Sequence, residues 1–279
     1  MKNTIAYICS GRSLSSQNPG RKIASIVQCW HKMGYGVNLL CGGDMGAASN
    51  TGGNNASKHC NNKWYYNIKM LQPLANSVSE SRDIIHDRKI HTVFSEMVKK
   101  NHPFVIWERS YRLHCAGLQI ARENRIPYVL EWKDHLIPYS RSLFHSKAVE
   151  IEKRKIAEAD FIVVESEKLR KDLYRDGADI NKIIVAYNAV DTTQFKPDEQ
   201  KRLEIRRRLG IKEDEILVAY LGSYAFYHDA ERLVLAAGII QKRGLKKIKF
   251  LMVGQGQEYS KAQLTALENG VLNTTLTMI

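Results

Sequence analysis

Short apolar runs alternate with amphipathic stretches of helical period along almost the whole chain. The runs at 4–9 and 161–164 have the length of buried strands, and the charged stretch 147–158 has the length of a helix. Parallel strands need crossover connections of about a dozen residues or more, and these are usually helices. The pattern therefore predicts an α/β protein made of parallel βαβ units, with helices on both faces of a sheet.

The same periodicity gives the expected bounds of each element. In the first helix, five apolar residues share one face: Ile23, Ile26, Val27, Trp30 and Met33. A segment rich in glycine, asparagine and serine, 43–62, is predicted to be a loop. The predicted strands are 4–9, 37–41, 63–71, 104–107, 128–131, 161–164, 183–186, 216–221, 248–253 and 274–279. The predicted helices are 21–33, 79–100, 113–124, 147–158, 166–176, 198–209, 230–243 and 258–269.

The apolar rhythm breaks at 188–200, a polar segment that contains Pro197 and suits a crossing between domains. It divides the chain into a first domain, 1–190, and a second domain, 191–279. Each opens with a strand, a glycine-bearing loop and a helix, as Rossmann-like domains do. The second domain is predicted to hold only three strands, too few to close a stable sheet with covered edges. We therefore expect it to be the first part of a larger domain.

Charge and composition exclude several classes of protein. The 42 Lys and Arg exceed the 29 Asp and Glu by 13, which suits phosphorylated ligands or an anionic membrane face as partners and equally suits a basic face that contacts only solvent. No nucleic-acid-binding motif accompanies this charge, so no nucleic acid partner is expected. The nine histidines lack metal-ligand spacing, and no phosphate fingerprint of dehydrogenases or P-loop NTPases occurs. No apolar run has the length of a membrane span or a secretory signal, so we expect a cytoplasmic protein.

Three stretches together carry a resemblance to a known family. The first comprises EKRKIAEADFIVVESEKLRKDL (152–173) and DINKIIVAYNAVDTTQFKPD (179–198); the others are LGSYAFYHDAERLVLAA (221–237) and KFLMVGQGQEYSKAQLTAL (249–267). In this order they resemble the retaining, nucleotide-sugar-dependent glycosyltransferases of family 4, as do the stretches 18–44 and 104–132. The resemblance implies a GT-B architecture of two Rossmann-like domains. It also implies a nucleoside-diphosphate sugar as donor, a glycan or lipid-linked acceptor, and no metal or other cofactor.

The resemblance also implies a donor site in the second domain. Its diphosphate would lie at the loop after the first strand, at Gly222, and near Gly254 and Gly256 of the next strand end. The family typically places an arginine directly after the first glycine and a lysine five residues later. This chain has Ser223 and His228 at those positions, and His228 could donate to phosphate when it is protonated.

The acceptor side would lie in the first domain. Gly20 and Arg21 open its first helix, and other polar residues follow the carboxyl ends of strands, where open α/β sheets bind ligands. Arg109 and Asp134 are acceptor-side candidates, and Glu131 and His135 are catalytic candidates. Plainer interpretations stay open: a tight turn at Gly254 and Gly256, a polar helix-start residue without a ligand at His228, an ordinary loop histidine at His135, and an ion pair between Glu108 and Arg109.

One departure from the family pattern bears on activity. The family's two donor-binding glutamates, eight residues apart, come later than Ile279. The chain is then either a fragment of a longer protein or a truncated product without activity. The alternative function, from another class, is a non-catalytic α/β module that binds anionic glycans or a protein partner.

Overall fold

The structure, a computed structural model, describes residues 3–45, 72–133 and 142–279. These residues form two compact units, the first ending at Ala189 and the second spanning Val190–Ile279. The division falls inside the polar segment 188–200. The predicted strand 63–71 and most of the predicted loop 43–62 lie outside the described residues.

The first unit contains a six-stranded parallel sheet with helices on both faces. Its strands are β1 (Thr4–Cys9), β2 (Gly36–Cys41), β3 (Val105–Arg109), β4 (Tyr128–Trp132), β5 (Phe161–Val164) and β6 (Ile183–Val185). Its helices are α1 (Arg21–Lys32), α2 (Gln72–Asn101), α3 (Ala116–Asn124), α4 (His145–Glu158) and α5 (Glu167–Arg175). The strand order is β2-β1-β3-β4-β5-β6, and every neighbouring pair is parallel.

Alternate residues of each strand face opposite cores, as the two-residue period of a strand requires. Ile8, Ile106 and Leu130 face the core that includes α2 and α3, whereas Tyr7 faces α1 and packs with Ile23. The prediction of helices on both faces is therefore confirmed.

Two predicted details of the helices were wrong. Met33 does not share the buried face of α1, because it caps the helix end and is 70% exposed. Helix α2 begins at Gln72, seven residues before the predicted start. Leu74 and Val78 in this first part are exposed, so they form no buried stripe for sequence periodicity to detect.

The second unit contains a three-stranded parallel sheet of order β7-β8-β9. The strands are β7 (Ile216–Leu221), β8 (Ile248–Val253) and β9 (Leu276–Met278), and the helices are α6 (Glu199–Arg208), α7 (Ala230–Lys242) and α8 (Tyr259–Glu268). The core lies between this sheet and two helices, where Val234 and Ala237 of α7 and Ala266 of α8 pack with Phe250 and Met252 of β8. Within the described ranges of both units, no helix is long and apolar enough to cross a membrane.

Candidate functional site

Glu131, the last residue but one of strand β4, lies in a cluster of hydrogen-bond donors at the carboxyl edge of the six-stranded sheet. Its Oε2 accepts from the Tyr7 hydroxyl at 2.8 Å and from Trp107 Nε1 at 3.3 Å. Its Oε1 lies 3.5 Å from Arg109 Nη1 and 3.0 Å from Lys133 Nζ. The side chain is only 8% exposed. We call these five residues the Glu131 cluster; it joins two of the predicted site residues, Glu131 and Arg109.

A second carboxylate extends this cluster along the edge of the sheet. Glu165, directly after β5, lies 3.0 Å from Lys133 Nζ, pairs with Lys22 of α1, and accepts from Asn188 Nδ2 at 2.9 Å. Partial burial opposes ionisation, but the hydrogen bonds from Lys22, Lys133 and Asn188 prevail and lower the pKa of Glu165 to about 2. Glu165 is therefore a permanent anion between two cations.

Sequence reasoning missed Lys22, Lys133, Glu165 and Asn188. The last three follow the ends of β4, β5 and β6, which are neighbours in the sheet. The rule that ligands bind beyond the carboxyl ends of strands could have found them, as it found Glu131.

The proposed Glu108–Arg109 ion pair is wrong. Consecutive strand residues point to opposite faces, so only Arg109 reaches Glu131. Glu108 is buried on the other face, where Tyr128 donates to it at 2.9 Å and Lys155 Nζ lies 3.8 Å away.

Two more of the predicted residues, Gly20 and Arg21, lie at the N-terminus of α1. Gly20 has a φ of 82°, which glycine adopts at little cost, and no side chain caps the helix there. The first turn holds no acidic residue and begins with Arg21 and Lys22. The positive end of the helix dipole and these cations attract anions, and Glu165 already pairs with Lys22 there. Asp134 and His135 lie outside the described residues.

In the second unit, the loop after β7 lies against the loop after β8. We call residues 222–229 the Gly222 loop. Gly222 N donates to Val253 O at 3.1 Å, and Tyr224 N donates to Gln255 O at 3.0 Å. A Cβ on Gly254 would lie 2.0 Å from Gly222 O, and one on Gly256 would lie 2.7 Å from Tyr224 N. Close approach of two backbones thus requires both glycines, independently of any ligand.

Ser223 and His228, which stand where the family usually has arginine and lysine, are joined to each other. His228 Nδ1 lies 2.7 Å from the Ser223 carbonyl oxygen and 3.0 Å from Ser223 Oγ. The Tyr220 hydroxyl donates to the same carbonyl oxygen at 2.7 Å. These contacts hold the imidazole against the beginning of the Gly222 loop.

Helix α7 follows this loop with no side-chain cap at its N-terminus. The N-cap residue, Asp229, has φ 50° and ψ 43°, and its carboxylate makes no capping hydrogen bond. It pairs instead with Arg232 Nε at 2.7 Å. Helices α5 and α6 are capped by the side chains of Ser166 and Asp198, whereas α1, α3, α4 and α8 start without a side-chain cap, as α7 does. An uncapped first turn presents backbone N–H groups and the positive end of the dipole, which together bind anions such as phosphate.

No group of three or more His, Cys, Asp and Glu side chains within the described parts of the chain is arranged to hold a metal ion. The expectation of a metal-independent protein stays a prediction.

Comparison with known proteins identifies the lineage. The family model described as Glycosyltransferase Family 4 matches residues 20–194, well over half of the chain. This chain belongs to glycosyltransferase family 4. No curated protein sequence matches it significantly.

Solved structures with similar folds include several glycosyltransferases. Sucrose-phosphate synthase from Thermosynechococcus elongatus superposes with a TM-score of 0.65 at 14% identity, over 100% of this chain and 70% of its own. Anabaena HepE in complex with UDP has a TM-score of 0.59 at 13% identity, over 99% of this chain and 68% of its own. The lipopolysaccharide outer core galactosyltransferase WaaB, in its apo form, has a TM-score of 0.54 at 14% identity, over 99% and 67%. The predicted α/β, GT-B-like fold is confirmed.

Proposed function

We propose that this family 4 chain is a transferase that moves a sugar from a nucleoside-diphosphate sugar to a glycan or lipid-linked acceptor. The uncapped N-terminus of α7 behind the Gly222 loop carries the proposal, because it is suited to the diphosphate of such a donor. HepE, which shares the fold at low identity, has been solved with UDP and with UDP-glucose.

The proposed role of α7 follows from the negative charge that develops during sugar transfer. When the bond between the anomeric carbon and the diphosphate oxygen breaks, negative charge accumulates on the departing diphosphate. The N–H groups and dipole at the start of α7 would stabilise that charge without a metal ion, because dipoles fixed by the helix need no reorganisation as the charge develops. Retention of configuration at the sugar is part of the proposal and rests on the family resemblance.

On the acceptor side, the Glu131 cluster would position groups rather than react directly. Its carboxylate is almost fully buried and holds Arg109 and Lys133 at the carboxyl edge of the sheet. These cations, with Arg21 and Lys22 at the start of α1, suit an acceptor that carries phosphate or another anion. His135 as a helper near the anomeric carbon and Asp134 on the acceptor side complete the proposed set.

The excess of 13 positive charges supports a reaction at an anionic membrane surface. Lipid-linked acceptors lie in membranes, and the cytoplasmic leaflet is anionic, so a basic protein is attracted to it. We propose a peripheral protein of the inner membrane face that acts in the synthesis of cell-surface polysaccharide.

Calorimetric titration with UDP-glucose and GDP-mannose tests the donor site. We expect one of them to bind with a micromolar dissociation constant, and Gly222→Val to weaken that binding at least tenfold. The nearest atoms to a Cβ at Gly222 are those at the end of the Tyr220 side chain, so we expect the loss to come from blocked approach of the ligand rather than from unfolding. Gly244→Asn, at the opposite end of α7, is the matched control, because Gly244 has φ +70° and open space around it.

The alternative, a non-catalytic module for anionic glycans or a protein partner, is favoured by one observation: Ser223 and His228 replace the two cations of the family loop. It predicts no binding of either nucleotide sugar at millimolar concentration. That result with a folded chain would refute the proposed transferase.

A further inference from the structure

Two buried cysteines lie side by side at the carboxyl ends of neighbouring strands. Cys9 ends β1 and Cys41 ends β2, and the two residues are register partners in this parallel pair. Neither is exposed to solvent, and both belong to the apolar cluster on the α1 face of the sheet. Adjacent strands are about 4.7–4.9 Å apart, which is inside the range of about 4.4–6.8 Å between the Cα atoms of disulfides. The spacing of the two strands therefore permits a bond between the sulfurs.

The backbone beyond the two cysteines holds them in this position. A Cβ on Gly42 would lie 2.5 Å from Ser10 O, so the two chains stay in contact one residue further on. The carboxylate of Asp44 accepts from Cys41 N at 3.0 Å and from Ser16 N at 2.9 Å, which joins the loop after β2 to the loop after β1. A bond between the two sulfurs would therefore need little movement of the main chain.

The two thiols differ in reactivity. They share a hydrogen bond, which raises the pKa of Cys9 and lowers the pKa of Cys41, and burial raises the pKa of Cys9 further. The thiolate is the reactive form of cysteine, so Cys41 is the sulfur that attacks an oxidant first. Cys9 is then the neighbouring thiol that converts the first product into a disulfide. A thiol of lowered pKa beside a second thiol is typical of redox-sensitive cysteines.

We propose that Cys9 and Cys41 form a reversible disulfide, which makes this end of the sheet a redox-sensitive modification site. With a peroxide as oxidant, the Cys41 thiolate attacks one peroxide oxygen, the O–O bond breaks, and hydroxide leaves a sulfenic acid behind. The Cys9 sulfur then attacks the sulfenic sulfur, the S–O bond breaks, and water leaves with the Cys9 proton. With the proton that Cys41 first lost, two thiols are oxidised and one hydrogen peroxide is reduced to two molecules of water. A dithiol reverses the change by thiol–disulfide exchange.

The cysteine pair adjoins the Glu131 cluster. Tyr7 lies two residues before Cys9 on the same face of β1, and its hydroxyl is a hydrogen-bond partner of both Cys9 and Glu131. A disulfide removes the Cys9 hydrogen and holds that sulfur against Cys41, so oxidation changes the contacts of Tyr7. The Trp107 indole N–H donates to the same Glu131 oxygen. It therefore reports this change in the absence of any ligand.

Thiol mapping of the folded full chain tests the disulfide. The protein is treated with hydrogen peroxide, unfolded in N-ethylmaleimide to block the remaining thiols, digested, and analysed by mass spectrometry without reduction. We expect the peptides of Cys9 and Cys41 to be joined, and dithiothreitol to restore both thiols. Cys115, which is also buried but lies in the core on the other face of the sheet, is the internal control and should react fully with the maleimide.

Two results of this mapping would overturn the proposal: no joined peptide from the folded protein, or joining that appears only when the oxidant is added in urea. Because the experiment uses no nucleotide sugar, either result leaves the proposed function standing.

Two variants separate the roles of the sulfurs, with circular dichroism as the check of folding. In Cys9→Ala, the sulfenic acid formed at Cys41 has no thiol to react with and should be trapped by dimedone. In Cys41→Ala, the Cys9 thiol should stay reduced at the same dose of peroxide. Equal labelling of the two variants would contradict the order of attack.

The extension to the Glu131 cluster has its own readout. In a ¹⁵N-labelled sample of the wild type, oxidation should shift the indole N–H signal of Trp107. The signal of Trp132, which packs in the core on the other face, should stay in place. A Trp107 signal that does not move when the disulfide forms would overturn this extension.

Discussion

Replacing Lys155 by methionine should destabilise the first unit strongly. Lys155 of α4 is fully buried, and its Nζ donates to Ser110 Oγ at 2.9 Å and to Tyr111 O at 3.2 Å. Its countercharge is Glu108, at 3.8 Å and 1% exposed. Burial raises the pKa of Glu108, and the Lys155 ammonium opposes that rise. Methionine keeps most of the length of the side chain and removes the charge.

The size of this loss of stability follows from the Glu108 charge that remains buried when Lys155 is replaced. Breaking a buried pair by removing one partner costs about 3–5 kcal/mol, because the other charge stays desolvated and uncompensated. Against a total stability of about 5–15 kcal/mol, that is a large fraction. The additional change Glu108→Gln removes the orphaned charge, so the double variant should be more stable than Lys155→Met alone. The two changes should be non-additive by about 2 kcal/mol or more.

Urea unfolding followed by tryptophan fluorescence measures this effect selectively, because all four tryptophans lie before residue 190. Without Lys155, the pKa of Glu108 should rise further. The native state then binds a proton that the unfolded state releases above its ordinary carboxyl pKa. The loss should therefore be largest near neutral pH and shrink as the pH falls toward about 5. A loss below about 1 kcal/mol, or strictly additive single and double variants, would refute this reasoning.

Three further changes have expected outcomes. Gly254→Ala should cost the second unit about 2–3 kcal/mol in urea unfolding monitored by circular dichroism. The alanine Cβ would lie 2.0 Å from Gly222 O, and the residue would have to keep a φ of +140°. Unchanged stability would show that the loops after β7 and β8 can separate freely. Ser166→Ala should cost about 1 kcal/mol through loss of the α5 cap, and Ser166→Asp should restore it; equal stability of both variants would contradict the capping role. Glu165→Gln should cost about 1–2 kcal/mol of unfolding free energy at pH 7 after allowance for solvent screening. Because the folded-state pKa of Glu165 is lowered to about 2, this deficit should vanish as the pH falls from about 4.5 to about 2. A deficit that persists at the acid end would contradict the ion-pair explanation.

The sequence predicts the framework of this fold because its elements are strongly periodic. Strands such as 161–164 and 216–221 match their observed bounds, because each is a continuous run of apolar residues. The start of α2 was missed because its exposed first turns carry no such signal. Element bounds are therefore most predictable where an apolar run fills the whole element.

The candidate site was only partly predictable. The error on Glu108 and Arg109 was avoidable, because adjacent residues of a strand face opposite sides of the sheet. The contact of Lys133 with both Glu131 and Glu165 depends on β4 and β5 being neighbours, which element order suggests but does not determine. The hydrogen bond between Ser223 and His228 depends on the path of a loop, for which no periodic signal exists.

The most direct test of the central claim is to observe the start of α7 while a nucleotide sugar is added. In a ¹⁵N-labelled sample of the full chain, UDP-glucose or GDP-mannose should shift the backbone amide signals of residues 222–231 most, with Ala230 and Glu231 foremost, whereas free glucose or mannose should not. Shifts confined to residues before 190, or no shift at the start of α7 in a sample that binds the nucleotide sugar, would contradict the claim that this helix end receives the diphosphate.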